Sequence, residues 1–154
     1  MSYSENFENI LLENKVYSKI IKFKESTKTS QDAANQLGVN ISKIGKSIIF
    51  KTESSNLILV IASGKNRIDE EKLEKILNEK LIKVTGEEIK KRTGYAIGGI
   101  PPFGHKEKLK VFIDKDLLEF NSIFCAAGNP NSVFEISLKD ILDITKGEIV
   151  EIKE

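Results

Sequence analysis

Twelve residues of this sequence, GYAIGGIPPFGH at 94–105, hold four glycines and two prolines, while the other 142 residues hold six glycines and one proline. Pro101 and Pro102 fix their own φ and push the residues before them towards extended backbone. Gly98 and Gly99 permit angles that other residues resist and let a second molecule approach the main chain. A loop of this kind holds N–H groups at fixed positions. Donors so held can stabilise the oxyanion that develops in acyl transfer, where removing one typically costs about 10²- to 10³-fold in rate. Composition alone favours the plainer reading, a tight crossover between helix and strand with no ligand.

Three other places could contribute chemistry. Lys46 follows Gly45 at the mouth of the apolar run SIIF, so it projects from the rim of a sheet and can act as a point charge towards phosphate or an acyl oxygen. A solvated lysine at a strand start is the commoner outcome. Ser63-Gly64-Lys65-Asn66-Arg67 comes directly after the most hydrophobic run and could carry a cation to phosphate; a turn with helix-cap chemistry explains it as well. Ala126-Ala127-Gly128-Asn129-Pro130-Asn131 ends another apolar run, where a ligand or an ordinary turn could sit.

Several chemistries lack their usual residues. The one cysteine, Cys125, excludes an internal disulfide and a Cys-x-x-Cys metal site, and in SIFCAAG it reads as a small buried hydrophobe. His105 is the one histidine, so a Cys-His pair is formally available, but a zinc site would need carboxylates for most of its ligands and no spacing offers one. No Gly-x-Gly-x-x-Gly, P-loop or Gly-x-Ser-x-Gly elbow occurs. The carboxylates fall mainly in mixtures such as EEKLEKILNEK, which read as solvated helix faces. With 24 Lys plus Arg against 23 Asp plus Glu, no global charge draws the chain to a polyanion or acidic membrane, so any nucleic-acid contact must be local. No stretch reads as a signal peptide or approaches a membrane span, which makes the cytoplasm the expected compartment.

The elements that must position these residues are legible as hydrophobic periodicity and caps. A short helix is predicted over 4–14 behind Ser4, then a strand-like stretch over 17–23. The cluster at Thr29–Asp32 caps a helix that stops at Gly38, and Asn40 starts another turn. KSIIFKT and LILVIASG read as paired buried strands at the centre of the core. Asp69 caps the helix EEKLEKILNEK, and Thr85 with Glu88 forms a capping box for a helix that stops at Gly94. LKVFID, SIFCAA and VFEIS are strands, Ser137 caps LKDILDI, and EIVEIK closes the chain. The expectation is one α/β domain over 1–154, with about six strands in a mixed sheet flanked by helices. Its first 27 residues form an N-terminal helix and strand.

Taken in order, Lys46 before a buried strand, SGKNRID at 63–69, GYAIGGIPPFGH at 94–105 and AAGNPNSVF at 126–134 resemble the YbaK/EbsC family over about residues 28–150. These are free-standing trans-editing aminoacyl-tRNA deacylases related to the editing domain of bacterial prolyl-tRNA synthetase. The resemblance implies a curved mixed sheet and hydrolysis of the ester that joins a wrong amino acid, expected to be a small one on tRNA(Pro), to the 3′ adenosine. It implies water attack with backbone oxyanion stabilisation, no side-chain nucleophile and no cofactor, with the acceptor end of mischarged tRNA, and a prolyl-tRNA synthetase, as partners. Lys46, Gly98 and Gly99 take the catalytic positions. Thr29, Ser63, Asn66, Arg67, Ile100, Pro101, Gly128 and Asn129 take substrate-binding positions, with Gly128 on the opposite wall and His105 only a neighbour. Cysteinyl-type members tend to carry a tyrosine near Thr29 and an acidic residue near Val133; this chain departs at both, and helix capping is the better account of Thr29. The alternative reading is a non-catalytic module of the same fold that binds an acceptor end or a small molecule.

Overall fold

The computed structural model describes residues 6–24 and 29–154. Its centre is the pair predicted from the two β-branched runs, β2 (Ile44–Thr52) and β3 (Leu57–Ser63), antiparallel with Gly45 opposite Ser63 and Lys51 opposite Leu57. Every residue of β3 is buried, as expected for a strand covered on both faces. Around this pair the other strands are β1 (Ile21–Lys22), β4 (Leu81–Ile82), β5 (Lys110–Asp114), β6 (Ser122–Ala126), β7 (Ser132–Ser137) and β8 (Glu148–Val150). The order is β1-β7-β6-β2-β3-β5-β8, with β4 beside β2. The β2–β6, β3–β5 and β5–β8 pairs are parallel and the rest antiparallel, so the sheet is mixed, with eight strands among the described residues where about six were predicted. The two-residue β4 is too short to show any alternation in sequence.

Helices cover both faces. On one, α1 (Phe7–Glu13), α4 (Gly86–Thr93), α5 (Leu138–Thr145) and the loop at 94–105 enclose the largest apolar cluster, with Phe7, Ile89, Phe103, Phe134 and Ile141 among its members. On the other, α2 (Ser30–Leu37) lays Ala33 and Ala34 on Ile44, Phe124 and Val133, and α3 (Glu70–Leu77) lays Leu73 on Ile58, Val60 and Phe112. Two separate helices therefore share that face. Among the described residues no helix is long and apolar enough to cross a membrane.

The caps agree with the sequence reading except in detail. Thr29 caps α2 and Gly38 ends it in a left-handed turn, while Asn40 caps a 3₁₀ turn at Ile41–Lys43. The reciprocal box belongs to α2, where Thr29 Oγ1 accepts from the Asp32 amide and the Asp32 carboxylate accepts from the Thr29 amide. At α4 only half of the predicted box forms: Thr85 accepts from the Glu88 amide, but the Glu88 carboxylate is drawn to Lys51 at 2.9 Å and Arg92 at 3.0 Å. The stronger, charge-assisted partners win. In the stretch at 17–23 only Ile21 and Lys22 pair as strand, and Tyr17 is 80% exposed. Ser4, predicted to start the first helix, lies outside the described residues.

The glycine and proline loop is anchored at both ends. Gly94 terminates α4 in the left-handed region; Tyr95, fully buried, donates its hydroxyl to the Gly104 carbonyl at 3.0 Å; Phe103 packs on Phe7 and Phe134. Gly104 has φ +86°, and a Cβ there would stand 2.7 Å from Ile10 Cγ2. Gly38 has φ +69° with open space around it. Gly38→Ala is expected to cost about 1 kcal/mol, the strain of a left-handed L residue, and Gly104→Ala about 1–3 kcal/mol more because α1 must shift. Urea unfolding of both variants checks the order; equal losses would mean that α1 does not brace the loop.

Candidate active site

Strand β2 has two partners along the edge away from β3, and neither reaches its middle. Pairing with β6 covers Ile44 and Gly45, and pairing with β4 covers Lys51 and Thr52. The amide of Gly64 donates to the Ile44 carbonyl and that of Thr52 to the Asn56 carbonyl. With the β2–β3 register, these bonds fix even-numbered residues of β2 as those whose main chain faces β3. Odd-numbered residues face the other edge. The N–H and C=O groups of Ser47 and Ile49 therefore point into the gap between β6 and β4, where no strand of the described residues meets them.

A cavity of about 540 Å³ occupies this gap, a size suited to a small-molecule ligand. Side-chain alternation divides its walls. Ser47, Ile49, Cys125 and Ser132 lie on the face of the largest cluster, where Ile89, Ile97, Gly98 and Ile100 roof them; Lys46, Ile48, Phe124 and Val133 lie on the opposite face, beside Thr29 and Ser30 at the start of α2. The cavity thus passes through the sheet. Glycine allows close packing at two lining positions: a Cβ on Gly45 would lie 2.8 Å from Ile123 Cδ1, and one on Gly64 would lie 2.6 Å from the Ile41 carbonyl oxygen.

Lys46 is half-buried rather than solvated, and its Nζ donates to the Asn66 carbonyl at 2.9 Å. Burial, then the nearby charge of Arg67, lowers its pKa below that of an ordinary lysine, opposed by Asp114. The acceptor is itself held firmly. Asn66 Nδ2 donates to Asp114 at 2.8 Å and Asp116 at 2.9 Å; buried Asp114 also accepts the Ser63 amide at 2.9 Å; and Lys153 reaches Asp116 at 2.9 Å. Asp114 and Asp116 thereby anchor the 63–67 turn, and the turn aims the lysine.

The sequence-predicted residues separate into two groups. Thr29, Lys46, Gly98 and Ile100 line the cavity. Ser63, Asn66, Arg67, Gly99, Pro101, Gly128 and Asn129 do not. Ser63 is fully buried, with its hydroxyl donated to the Ser42 carbonyl, and Asn66 serves as the lysine's support, so neither side chain faces the cavity. Arg67 is exposed and contributes charge at a distance. Gly99 requires a correction to the expected pair of donors: its amide donates to the Ala96 carbonyl at 3.0 Å, and a Cβ there would strike the Asn129 backbone at 2.6 Å. Its role is close packing of the 94–105 loop on the 126–131 turn, where Gly128 takes φ +101°. Pro101 is buried, and its carbonyl meets His105 Nε2 at 2.8 Å. The amides of Gly98 and Ile100 carry no hydrogen bond among the described residues, and both residues line the cavity. Ser47 was not singled out in the sequence, and Gly64 and Ser132 entered only as members of the 63–69 and 126–134 segments. Polar residues inside the apolar runs KSIIF and SVFEI are the signal that could have found the serines.

Cys125 is 1% exposed and its thiol is pushed up to about 12 by burial. Burial also lowers the His105 pKa, and that imidazole is bonded to the Pro101 carbonyl. Among the described residues no group of His, Cys, Asp and Glu is arranged to hold a metal ion.

With this geometry in view, the comparisons with known proteins are specific. The pattern of the aminoacyl-tRNA editing domain matches residues 24–144. YwhH, an uncharacterised protein of Bacillus subtilis, is 32% identical over 130 residues, spanning 84% of this chain and 83% of that protein. The proline–tRNA ligase of Aquifex aeolicus is 30% identical over 127 residues, 82% of this chain but 22% of the ligase. A crystal structure of a candidate trans-editing enzyme for prolyl-tRNA synthetase superposes with TM-score 0.92 at 32% identity, over 100% of this chain and 98% of that one. The chain belongs to the aminoacyl-tRNA editing domain family, in its YbaK-like branch.

A buried thiol with this pKa holds on the order of 10⁻⁴ of its population as thiolate at pH 8. Native protein is therefore expected to react with a disulfide reagent at least about 10³-fold more slowly than unfolded protein. Rapid labelling of the native state would return Cys125 to consideration as a nucleophile.

Proposed function

We propose that the protein hydrolyses the ester bond of mischarged tRNA, with tRNA(Pro) bearing a wrong small amino acid as its substrate. The observation that carries this reading is the cavity through the sheet of an editing-family domain, with a supported lysine on one side and free loop amides on the other. The 3′-terminal nucleotide lies on the Lys46 side, where the ammonium has two hydrogens beyond the one given to Asn66. The aminoacyl group passes into the gap, where the open main-chain edge at Ser47 and Ile49 offers donors and acceptors. Water adds to the ester carbonyl; the oxyanion that develops is met by the amides of Gly98 and Ile100; the acyl C–O bond breaks, the ribose oxygen takes a proton, and free amino acid and tRNA leave. The loop's rigidity matters here because the donors need no reorganisation as charge develops.

The arrangement engages only the acceptor end, so a prolyl-tRNA synthetase fits as the partner that supplies tRNA identity, with the cytoplasm as the site of action. A near-neutral chain makes RNA contact local and few, and log K against log salt is expected to have a shallow slope, about −0.7 to −0.9 per phosphate neutralised.

Lys46→Ala should fold normally, because the residue is half-buried and contributes little apolar packing, and should lower kcat/KM for deacylation by about 10- to 100-fold, the loss of one charge-assisted contact. Its lowered pKa gives a second readout. The charged form persists below that pKa and is lost as pH rises through it, so the enzyme-dependent rate, after subtraction of alkaline ester hydrolysis, declines at a pH below that of an ordinary lysine. Deacylation of tRNA charged with Ala, Cys, Ser or Thr checks the reading. If every ester survives at the blank rate, the protein is a binding module and not a hydrolase.

A further inference from the structure

Among the described residues, two buried side-chain polar atoms have no hydrogen-bond partner, Ser47 Oγ and Ser132 Oγ, and both residues line the cavity. Ser132 is 2% exposed; Ser47 is partly exposed as a residue, but its hydroxyl oxygen is covered. Their coincidence in one chamber follows from the fold. Ser47 shares its face of β2 with Ile49, and Ser132 shares its face of β7 with Phe134 and Ile136, all members of the largest apolar cluster. Both hydroxyls therefore stand on the roofed side of the sheet, across it from Lys46.

A hydroxyl buried without a partner costs about 1–3 kcal/mol, so natural cores seldom keep one, and two on residues that line one chamber point to a partner bound there. Among the described residues, the remaining side chains of this wall are apolar, Ile49, Ile89, Ile97, Ile100 and Cys125. None supplies an ionised group. We propose that Ser47 and Ser132 are specificity-determining residues which select an acyl group whose side chain carries a hydroxyl, serine or threonine, over the carbon-only side chain of alanine. This rests on the editing reading given above. A serine hydroxyl both donates and accepts, so a substrate hydroxyl can pair with either residue. An alanine side chain offers neither group a partner. A site built to hydrogen-bond a substrate hydroxyl penalises the analogue that lacks it through its own unpaired groups.

The test compares kcat/KM for one tRNA(Pro) charged with serine, threonine or alanine, using wild type, Ser47→Ala, Ser132→Ala and the double variant, each checked for a native melt. The wild type is expected to favour the serine and threonine esters over alanine by at least about ten-fold, the worth of one to two hydrogen bonds. The double variant is expected to bring that ratio to within about three-fold of unity. Because the ratio is internal to each preparation, partial misfolding does not move it. Equal clearance of alanine and serine esters by the wild type, or an equal loss on all three esters in the variants, overturns the assignment and means that water satisfies the hydroxyls. Survival of all three esters at the blank rate overturns it in a different way, by removing the editing reading itself.

Discussion

Main-chain N–H and C=O groups taken out of bulk water must find partners, and a sheet supplies them strand by strand. In β2 that supply is interrupted. β6 leaves after Gly45 and β4 arrives only at Lys51, so four backbone groups, those of Ser47 and Ile49, face a gap in the middle of an otherwise continuous sheet. Closing the gap with a longer β6 would satisfy them and abolish the cavity. The fold instead turns the chain away at Ala126, builds the 126–131 turn and seats Gly99 directly on the Asn129 backbone. An edge that would elsewhere invite another strand becomes a surface that can receive a ligand.

The two sides of the gap are held by different physics. On the side of the largest cluster, position comes from packing: Tyr95, Phe103 and Gly104 fix the loop against α1, and Ile89 of α4 closes the wall. On the other, it comes from charge: Asp114 and Asp116 hold Asn66, and Asn66 holds Lys46. Mixed parallel and antiparallel pairing makes this possible, since β5 brings Asp114 alongside the end of β3, next to the lysine's own strand. The proposed editing reaction would use both, the charge beside the nucleotide and the donors beside the carbonyl.

Much of this was legible in the sequence, for identifiable reasons. β2 and β3 show as adjacent apolar runs, and the caps at Thr29, Asp69, Thr85 and Ser137 are side-chain chemistry that operates within a few residues. The loop at 94–105 announces itself by glycine and proline density, and Lys46 by its place before a buried strand. Long-range consequences were not legible. Ser63 and Asn66 sit in a motif that marks the site, yet their side chains face inward to Ser42 and Asp114, which only the β3–β5 pairing reveals. Gly99 was read as a donor when its service is steric, because contact with Asn129 depends on two loops meeting. Ser47 and Ser132 escaped notice for the same reason: a serine in an apolar run becomes informative only when its hydroxyl is seen to lack a partner.

The central claim is that the interrupted edge of β2 and the loop amides together receive the aminoacyl group. Titration of ¹⁵N-labelled protein with a non-hydrolysable aminoacyl-amide analogue of the 3′-terminal adenosine tests it most directly. The largest amide shifts should fall at Ser47, Ile49, Gly98 and Ile100, with little change at Lys80, Leu81 and Ile82 where β4 already pairs the same edge. Saturable binding that moves amides elsewhere and leaves those four in place would contradict the account.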